Sequence, residues 1–289
     1  MVQYPRLLAS PLTPGTLYIV STPIGNLEDI TYRAVRTLAD CNLIAAEDTR
    51  RAAKLLTHYG ITTKRLSLHR HNELQRIPAL LKRLSNKESI ALISDAGTPL
   101  VSDPGQHLTR AAFDDGIRIE AIPGPSAVLS SLAVSGMDAN GFTFVGFPPY
   151  RSNDRKKFFK NFAVEPRTIV FFEAPHRLRA SLSDLYFILG NRHIAVCHEM
   201  TKVHESLVIG PINSVLEELV EIKGEYTIVL DAPRLERTAG PEPGTDQIIS
   251  DFDLLTKYGA TRRQAIRELA TKYRQRSRDV YQIIEESKQ

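Results

Sequence analysis

The sequence predicts an α/β protein of two lobes followed by a small helical domain, on three observations. Short apolar runs alternate with helical periods through the first 122 residues, as strands buried on both faces and separated by helices require. After "IPGPSAV" the apolar runs crowd together, which predicts a second α/β unit with more antiparallel pairing. A stretch rich in Pro, Gly and charge, "DAPRLERTAGPEPGTDQ", then sets off a last segment of helical period.

Residues 1–14 read as a flexible arm broken by Pro5, Pro11 and Pro14, with no apolar run long enough for a signal peptide or a membrane span. In a first domain over 15–122 the strand candidates are "TLYIVS" (16–21), "NLIAA" (42–46), "RLSL" (65–68), "SIALIS" (89–94) and "IRIEAI" (117–122). Between the first two, Ile30, Ala34, Val35 and Leu38 share a helical face, with Asp29 or Thr31 available to cap it. Leu74, Ile77, Leu81 and Leu84 do likewise, and Pro78 is expected to shift or kink the start of their helix.

The second domain, 123–232, opens at the boundary near Pro123–Pro125. Its strand candidates are "FTFVGF" (142–147), "RTIVFF" (167–172), "RHIAVC" (192–197), "ESLVIG" (205–210) and "EYTIVL" (225–230). Pro211 sits near a helix start, ahead of Ile212, Val215, Leu216, Leu219 and Val220 at 3.6 spacing. Residues 233–247 read as a linker and 248–289 as a basic helical domain resembling a helix-turn-helix. There, Ala265, Ile266, Leu269, Ala270 and Tyr273 line one helix, and Val280, Tyr281, Ile283 and Ile284 line another.

With 289 residues, 42% hydrophobic and 24% charged, the chain has ample core for two domains, and its net charge of +4 is compatible with a polyanionic partner. Cys41 and Cys197 lie in apolar runs without metal-ligand spacing and read as reduced thiols of a cytosolic protein.

The chemistry gathers at strand ends. "IALISDAGTPLVSDPG" (90–105) runs from a strand into a loop with two Asp, two Gly and two Pro but no Lys. A phosphate cradle wants backbone N–H groups and a Lys; a carboxylate suits hydroxyls or a cation. Asp95 follows directly on the strand, at the edge where α/β sheets place ligands, and reads equally as a ligand contact or a turn cap. Gly97 omits a side chain where the backbone must turn or approach something closely. Asp103 is expected to cap the next helix, with Pro104 at its first turn.

The first strand ends in "VSTPIGNLEDI", which matches neither the dinucleotide nor the P-loop pattern. In "AEDTRR" (46–51), Arg50 and Arg51 suit nucleic-acid phosphates, or else stand as solvated arginines behind an N-cap by Asp48 or Thr49. "LHRHNE" (68–73) lacks an H-x-x-x-H pair and a Cys neighbour, so no metal site is predicted. "FFEAPHRL" (171–178) sets Glu173, His176 and Arg177 at a strand end, and "HEMTKVHE" (198–205) offers His198, Glu199, Lys202 and His204. No nucleophile elbow or protease-like Cys setting accompanies them, which argues against nucleophilic hydrolysis. In the tail, Arg262, Arg263, Arg267, Lys272, Arg274, Arg276 and Arg278 stand against Glu268 and Asp279, which reads as an RNA contact or as a solvated helix pair.

In order along the chain, "STPIGNLEDIT", "AEDTRRAAKLL", "LHRHNE", "SDAGTPLVSDPG", "IPGPSA", "FFEAPHR", "TKVHE" and "GEYTIVL" closely resemble the small-subunit rRNA branch of the tetrapyrrole methylase superfamily, the class III S-adenosylmethionine (SAM) dependent methyltransferases. The likeness covers roughly residues 15–232, and the tail resembles that branch's helical C-terminal domain. It implies a two-lobed tetrapyrrole-methylase-like fold with SAM in the inter-domain cleft, working as a cytoplasmic homodimer away from membranes. The implied reaction is 2'-O-methylation of a cytidine in the decoding region of 16S rRNA, on the 30S subunit, with S-adenosylhomocysteine as product.

The resemblance also places residues. Pro23 and Gly25 would border the cofactor; Asp95, Ala96, Gly97 and Val101 would hold it; Ser126 and Ala127 would add contacts; Phe172 and Met200 would cover its adenine or methionine part. A ribose hydroxyl is a poor acid, so a base or a cation is expected to assist, with Lys202 and Glu173 as the candidates. Arg177 and Asn72 are expected to orient the RNA, and Arg50, Arg51, Arg262, Arg263, Arg267 and Arg274 to contact it. The competing readings are a class III methylase acting on a tetrapyrrole or a modified protein, a non-catalytic ribosome-binding module, and a nucleotide-binding protein using the "PIGN" turn.

Overall fold

The computed structural model describes residues 11–220, 222–233, 245–257, 260–273 and 275–287, in two compact units that part after Pro233. The first unit holds two lobes. The N-terminal one alternates β1 (Thr16–Val20), α1 (Tyr32–Asp40), β2 (Leu43–Ala46), α2 (Thr49–His58), β3 (Arg65–Ser67), α3 (Glu73–Ser85), β4 (Ile90–Ile93), α4 (Gln106–Asp114) and β5 (Arg118–Ile122). Its strands form a parallel sheet in the order β3-β2-β4-β1-β5.

Period-two alternation splits the central strands between two cores. Tyr18, Val20, Ile44, Ala46, Ala91 and Ile93 face α1 and α2, where Ala34, Leu38, Ala52 and Leu56 meet them. Leu17, Ile19, Leu43, Ala45, Ile90 and Leu92 face α3 and α4, against Leu80, Leu84, Leu108 and Ala112. With both faces covered, functional groups are left to the loops at the strand ends.

Thr31 caps α1, its hydroxyl accepting from the Ala34 N–H at 3.1 Å. Pro78 neither shifts nor ends α3, which runs on through it from Glu73 to Ser85. The buried stripe of α3 differs from the expected one: Leu80 and Leu84 are its core residues, and Leu74 is 68% exposed.

The second lobe contains α5 (Ala127–Val134), β6 (Phe142–Phe144), α6 (Ser152–Lys160), β7 (Thr168–Glu173), α7 (Leu178–Leu189), β8 (His193–His198), β9 (Ser206–Pro211), α8 (Ile212–Glu218) and β10 (Tyr226–Leu230). The sheet order is β6-β7-β10-β8-β9, with β6 parallel to β7 and every other pairing antiparallel. One face packs on α6, α7 and α8 through Phe159, Leu178, Leu182, Leu185, Ile212 and Val215. On the other face, Val128 and Leu132 of α5 meet Val170, Ala195, Cys197 and Val229, and Ile24 from the turn after β1 joins them. The two lobes therefore share an apolar seam. Helix α8 stops at Glu218, so Leu219 stays buried while Val220 turns outward.

The second unit is a three-helix cluster, α9 (Thr245–Lys257), α10 (Arg262–Lys272) and α11 (Ser277–Glu286), around Ile248, Phe252, Ala265, Ile266, Leu269, Val280 and Ile284. Helix α9 starts inside the segment that reads as linker, and much of that linker, 234–244, lies outside the described residues, as does 1–10 of the expected arm. A capping box opens α10: Thr261 Oγ1 accepts from the Gln264 N–H, and Gln264 Oε1 accepts from the Thr261 N–H. No helix among the described residues is long and apolar enough to cross a membrane.

Candidate active site

The loop after β4 is held in a conformation that most side chains avoid. Gly97, at φ +75°, forms an isolated bridge with Thr22, each N–H donating to the other's carbonyl. Ser21 and Thr98 add a hydroxyl–hydroxyl contact of 2.9 Å, so this loop and the turn after β1 make one surface. Further on, Leu100 (φ 75°) and Ser102 (φ 72°) are left-handed without being glycine, a strain that the surroundings must enforce.

Two residues from the β3–α3 region supply that enforcement. Arg70 Nη2 donates to the Ser102 carbonyl at 2.6 Å. Glu73, buried at the start of α3, accepts from the Leu108 N–H at 3.0 Å and so caps α4 from another helix. This corrects the expectation for Asp103. Helix α4 begins at Gln106 with Gly105 as its N-cap, Pro104 lies outside it, and Asp103 caps nothing.

Between the lobes lies a cavity of about 360 Å³. The N-terminal lobe lines it with Ile24, Ala96, Gly97, Thr98, Val101 and Asp103, and the start of α5 adds Ser126 and Ala127. Phe147, Phe172 and Tyr226 form the aromatic part of the opposite wall, with Phe147 and Phe172 ring centroids 5.4 Å apart. Three carboxylates line the space, Asp103, Glu173 and Glu225, and no Lys or Arg does so among the described residues.

The charged groups on the second-lobe wall are paired. Glu173, its side chain wholly buried, has Arg177 Nε 2.8 Å from one oxygen and Arg177 Nη2 3.2 Å from the other, and accepts from the Ala174 N–H. Arg177 also bonds the Pro148 carbonyl and lies against Tyr150. Lys202 Nζ sits 2.8 Å from Glu199 and 3.0 Å from Glu225. Burial alone would lift the Glu199 carboxyl, but Lys202 and the Glu225 N–H bring it below the usual range.

On the first-lobe side, burial pushes the Asp103 carboxyl up; a hydrogen bond from Ser94 opposes this, Asp95 adds to it, and Arg70 opposes. Burial, then Asp103 and Asp95, raise Glu47 in the same way.

Of the residues expected at the cofactor, Ala96, Gly97, Val101, Ser126, Ala127 and Phe172 line the cavity. Asp95 does not. It accepts from the Asp48 N–H at 3.1 Å and pairs with Arg51 at 3.3 Å, holding the β2–α2 turn. Pro23 is buried in the turn after β1, and Gly25 packs on the 200–202 turn, where a Cβ would strike the Lys202 side chain and stand 2.9 Å from the Met200 carbonyl. Met200 is buried in the apolar seam behind Phe172.

Lys202 is likewise outside the cavity lining, and Glu173 is inside it but neutralised. Asn72 is committed to its own loop, accepting from the His69 N–H and donating to the Ser67 carbonyl. Arg50 pairs with Asp48 and is almost fully exposed. The sequence reading passed over Phe147, Thr227 and Glu225; the last two lie in the quoted "GEYTIVL", and Phe147 is freed for the cavity because β6 ends at Phe144.

In the three-helix unit, Arg262, Arg263, Arg267 and Arg278 ring a concavity of about 520 Å³ with Tyr281. The Arg262 guanidinium lies 5.3 Å from the Tyr281 ring centre and pairs with Glu285. Arg274 lies outside the described residues.

Residues 16–216 match the family model of tetrapyrrole (corrin/porphyrin) methylases. The chain is 39% identical, over 93% of its length and 94% of the relative's, to a ribosomal RNA small subunit methyltransferase I of Halalkalibacterium halodurans. It is 42% identical to the same-named protein of Synechocystis, over 93% and 97% of the two chains. A Thermus thermophilus uroporphyrin-III C-methyltransferase solved with S-adenosylhomocysteine shares the fold at 20% identity, with a TM-score of 0.55 over 75% of this chain and 97% of that one.

Proposed function

This chain belongs to the tetrapyrrole methylase family, and from that premise we propose that its inter-lobe cavity holds SAM and presents it to a ribose hydroxyl of small-subunit rRNA. SAM-dependent methylation of small-subunit rRNA is the activity of this chain. The finer statement is the proposal: the acceptor is the 2'-oxygen of a cytidine in the decoding region of 16S rRNA, on the 30S subunit, and the enzyme is a cytoplasmic homodimer.

One observation carries the reading. A wall with three carboxylates and no basic side chain among the described residues suits a ligand bearing a sulfonium and an ammonium, and repels a triphosphate. The ligand, when bound, supplies a methyl group on cationic sulfur. Around it, Ala96 and Gly97 allow close backbone approach, Ser126 offers a hydroxyl, and Val101, Phe147 and Phe172 exclude water.

Rate then comes largely from orientation, since an in-line attack needs the acceptor oxygen aligned on the methyl carbon. Glu173 and Lys202, each tied to an opposite charge, shape the wall and the seam under this reading. Arg51 and the arginines around Tyr281 are the surfaces proposed for RNA phosphates. Titration calorimetry with SAM and with ATP, followed by mass-spectrometric mapping of the modified nucleotide in treated 30S subunits, tests the proposal. SAM binding without ATP competition and a ribose methyl on one cytidine are expected; a base methyl, or no heat with SAM, sinks it.

A further inference from the structure

Two aromatic side chains flank the Pro148–Pro149 pair at the edge of the cavity and stand open to solvent. Phe147 lines the cavity and is 53% exposed, and Tyr150 is 73% exposed. The Tyr150 ring centre lies 5.8 Å from the Arg177 guanidinium, which pairs with Glu173 of the cavity wall. The loop that carries the two rings is held from beneath. Arg177 donates to the Pro148 carbonyl. Arg155, buried in α6, donates to the Tyr150 carbonyl at 2.9 Å and to the Pro149 carbonyl at 3.4 Å, while its Nε donates to Asp184 at 2.8 Å. Three successive carbonyls are thus fixed by cations that are themselves paired, and the two prolines fix two φ angles between the rings. Desolvating a guanidinium is costly, so a surface loop pinned in this way is one whose side chains must keep their place.

We propose that Phe147 and Tyr150 form a stacking platform for the base of the acceptor nucleotide, extruded from the rRNA. The inference rests on the ribose reading above. The base hangs one glycosidic bond from the ribose, so a ribose hydroxyl brought to the methyl donor carries its base to the cavity mouth. A nucleotide cannot reach into an inter-lobe cavity while its base is still stacked in a helix. Extrusion leaves the faces of the base in water, and an aromatic ring already held in place covers one of them at little entropic cost.

The surroundings fit the task. Phe147 leans on Phe172 and Phe172 on Phe144, with ring centres 5.4 and 5.0 Å apart, so the platform has an aromatic row behind it. Because Glu173 pairs with Arg177, the charge beside Tyr150 is compensated, and the loop offers π-faces to a base rather than a cation to a phosphate. Phe113 and Phe187 are comparably exposed, but they lie on α4 and α7 and do not line the cavity. Stacking holds a base without reading its identity, since every base has a π-face. The platform therefore positions the nucleotide, and the choice among nucleotides falls to other contacts with the subunit.

Single-turnover methyl transfer to excess 30S subunits tests the platform, read as the plateau rate divided by the half-saturating subunit concentration. Phe147→Ala and Tyr150→Ala should each lower that efficiency by roughly 5- to 100-fold, the range that loss of one base–aromatic stack supports. S-adenosylhomocysteine affinity by calorimetry should stay within about threefold of wild type. Tyr150→Phe, which keeps the ring, should transfer like wild type, whereas Phe147→Leu, apolar without a π-face, should behave like the alanine variant. Alanine variants within about twofold of wild type overturn the proposal, as does a leucine variant that transfers normally. A parallel loss of S-adenosylhomocysteine binding also overturns it and makes the rings a cofactor wall. A change of oligomeric state in analytical ultracentrifugation overturns it in favour of a contact between copies of the chain. Should Phe147→Ala fail to fold, the exposed Tyr150 pair of variants decides alone. Mapping the methyl group made by the wild-type enzyme tests the ribose reading separately.

Discussion

Across the cavity, the N-terminal lobe and its partner lobe treat their charged groups in opposite ways. The second lobe pairs those beside the cavity, Glu173 against Arg177 and Lys202 between Glu199 and Glu225, and, deeper, Arg155 against Asp184 at 2.6 Å. The first lobe gathers Glu47, Asp95 and Asp103 at and beyond the ends of β2 and β4, and among the described residues a close ion-pair partner reaches Asp95 alone of the three. Paired charges fix geometry, whereas an unpaired, partly buried carboxylate stores reactivity. On this comparison the second lobe holds its charges fixed, and the first lobe leaves its carboxylates less constrained.

Breaking the wall should cost most. Arg177→Ala leaves the Glu173 carboxylate, wholly buried, without its cation, and removes the tie to the Pro148 carbonyl. A destabilisation of about 3–5 kcal/mol in urea unfolding is expected, because a buried charge stripped of its partner is far more costly than the pair is favourable. Replacing both residues, with Glu173→Gln and Arg177→Met, should recover much of it. A single variant that unfolds like wild type would remove the contrast between the lobes.

The sequence made the strands legible and the site only in part. Each of the ten strands among the described residues coincides with a short apolar run bounded by turn residues, since a strand buried on one or both faces has little other way to be written. Ala96 and Gly97, in the loop after β4, and Phe172, near the end of β7, were visible because the family resemblance places the cofactor at these strand ends. Asp103 was not, because the cap expected of it comes instead from Glu73, 35 positions before the Leu108 N–H that it accepts from. The pairing of Lys202 was hidden for a related reason: its strand-end position says nothing of the Glu225 that arrives just ahead of β10. Helix α9 went unseen because its first turn shares the polar composition of the linker before it.

Glu73 offers a sharper cut, on the first-lobe side. Glu73→Ala leaves the Leu108 N–H of α4 without an acceptor in a buried setting, at a cost of about 1–3 kcal/mol. Because α4 follows the strained loop, SAM affinity should fall with stability, and Glu73→Gln, which retains an acceptor oxygen, should restore most of both. Calorimetry and thermal unfolding of the two variants check this. Lost stability with unchanged SAM affinity would separate the cap from the loop.

The smallest effect belongs to Lys202, and it turns on pH. Lys202 lowers the Glu199 carboxyl below its ordinary value of 4.5, so the pair contributes stability above that value and loses it as pH falls through the folded one. Glu199 and Glu225 in turn raise Lys202 above 10.5, so the contribution also fades as pH climbs beyond that. Lys202→Met, which preserves the stem packed against Gly25, should therefore cost about 1 kcal/mol near neutral pH and less below pH 4, where the carboxylates no longer need a cation. Urea titrations of both proteins along the pH axis measure the difference. If Lys202 were instead the cation that stabilises the developing alkoxide, Lys202→Met would leave stability nearly unchanged and slow single-turnover transfer steeply, and the division of labour between the lobes would have to be reversed.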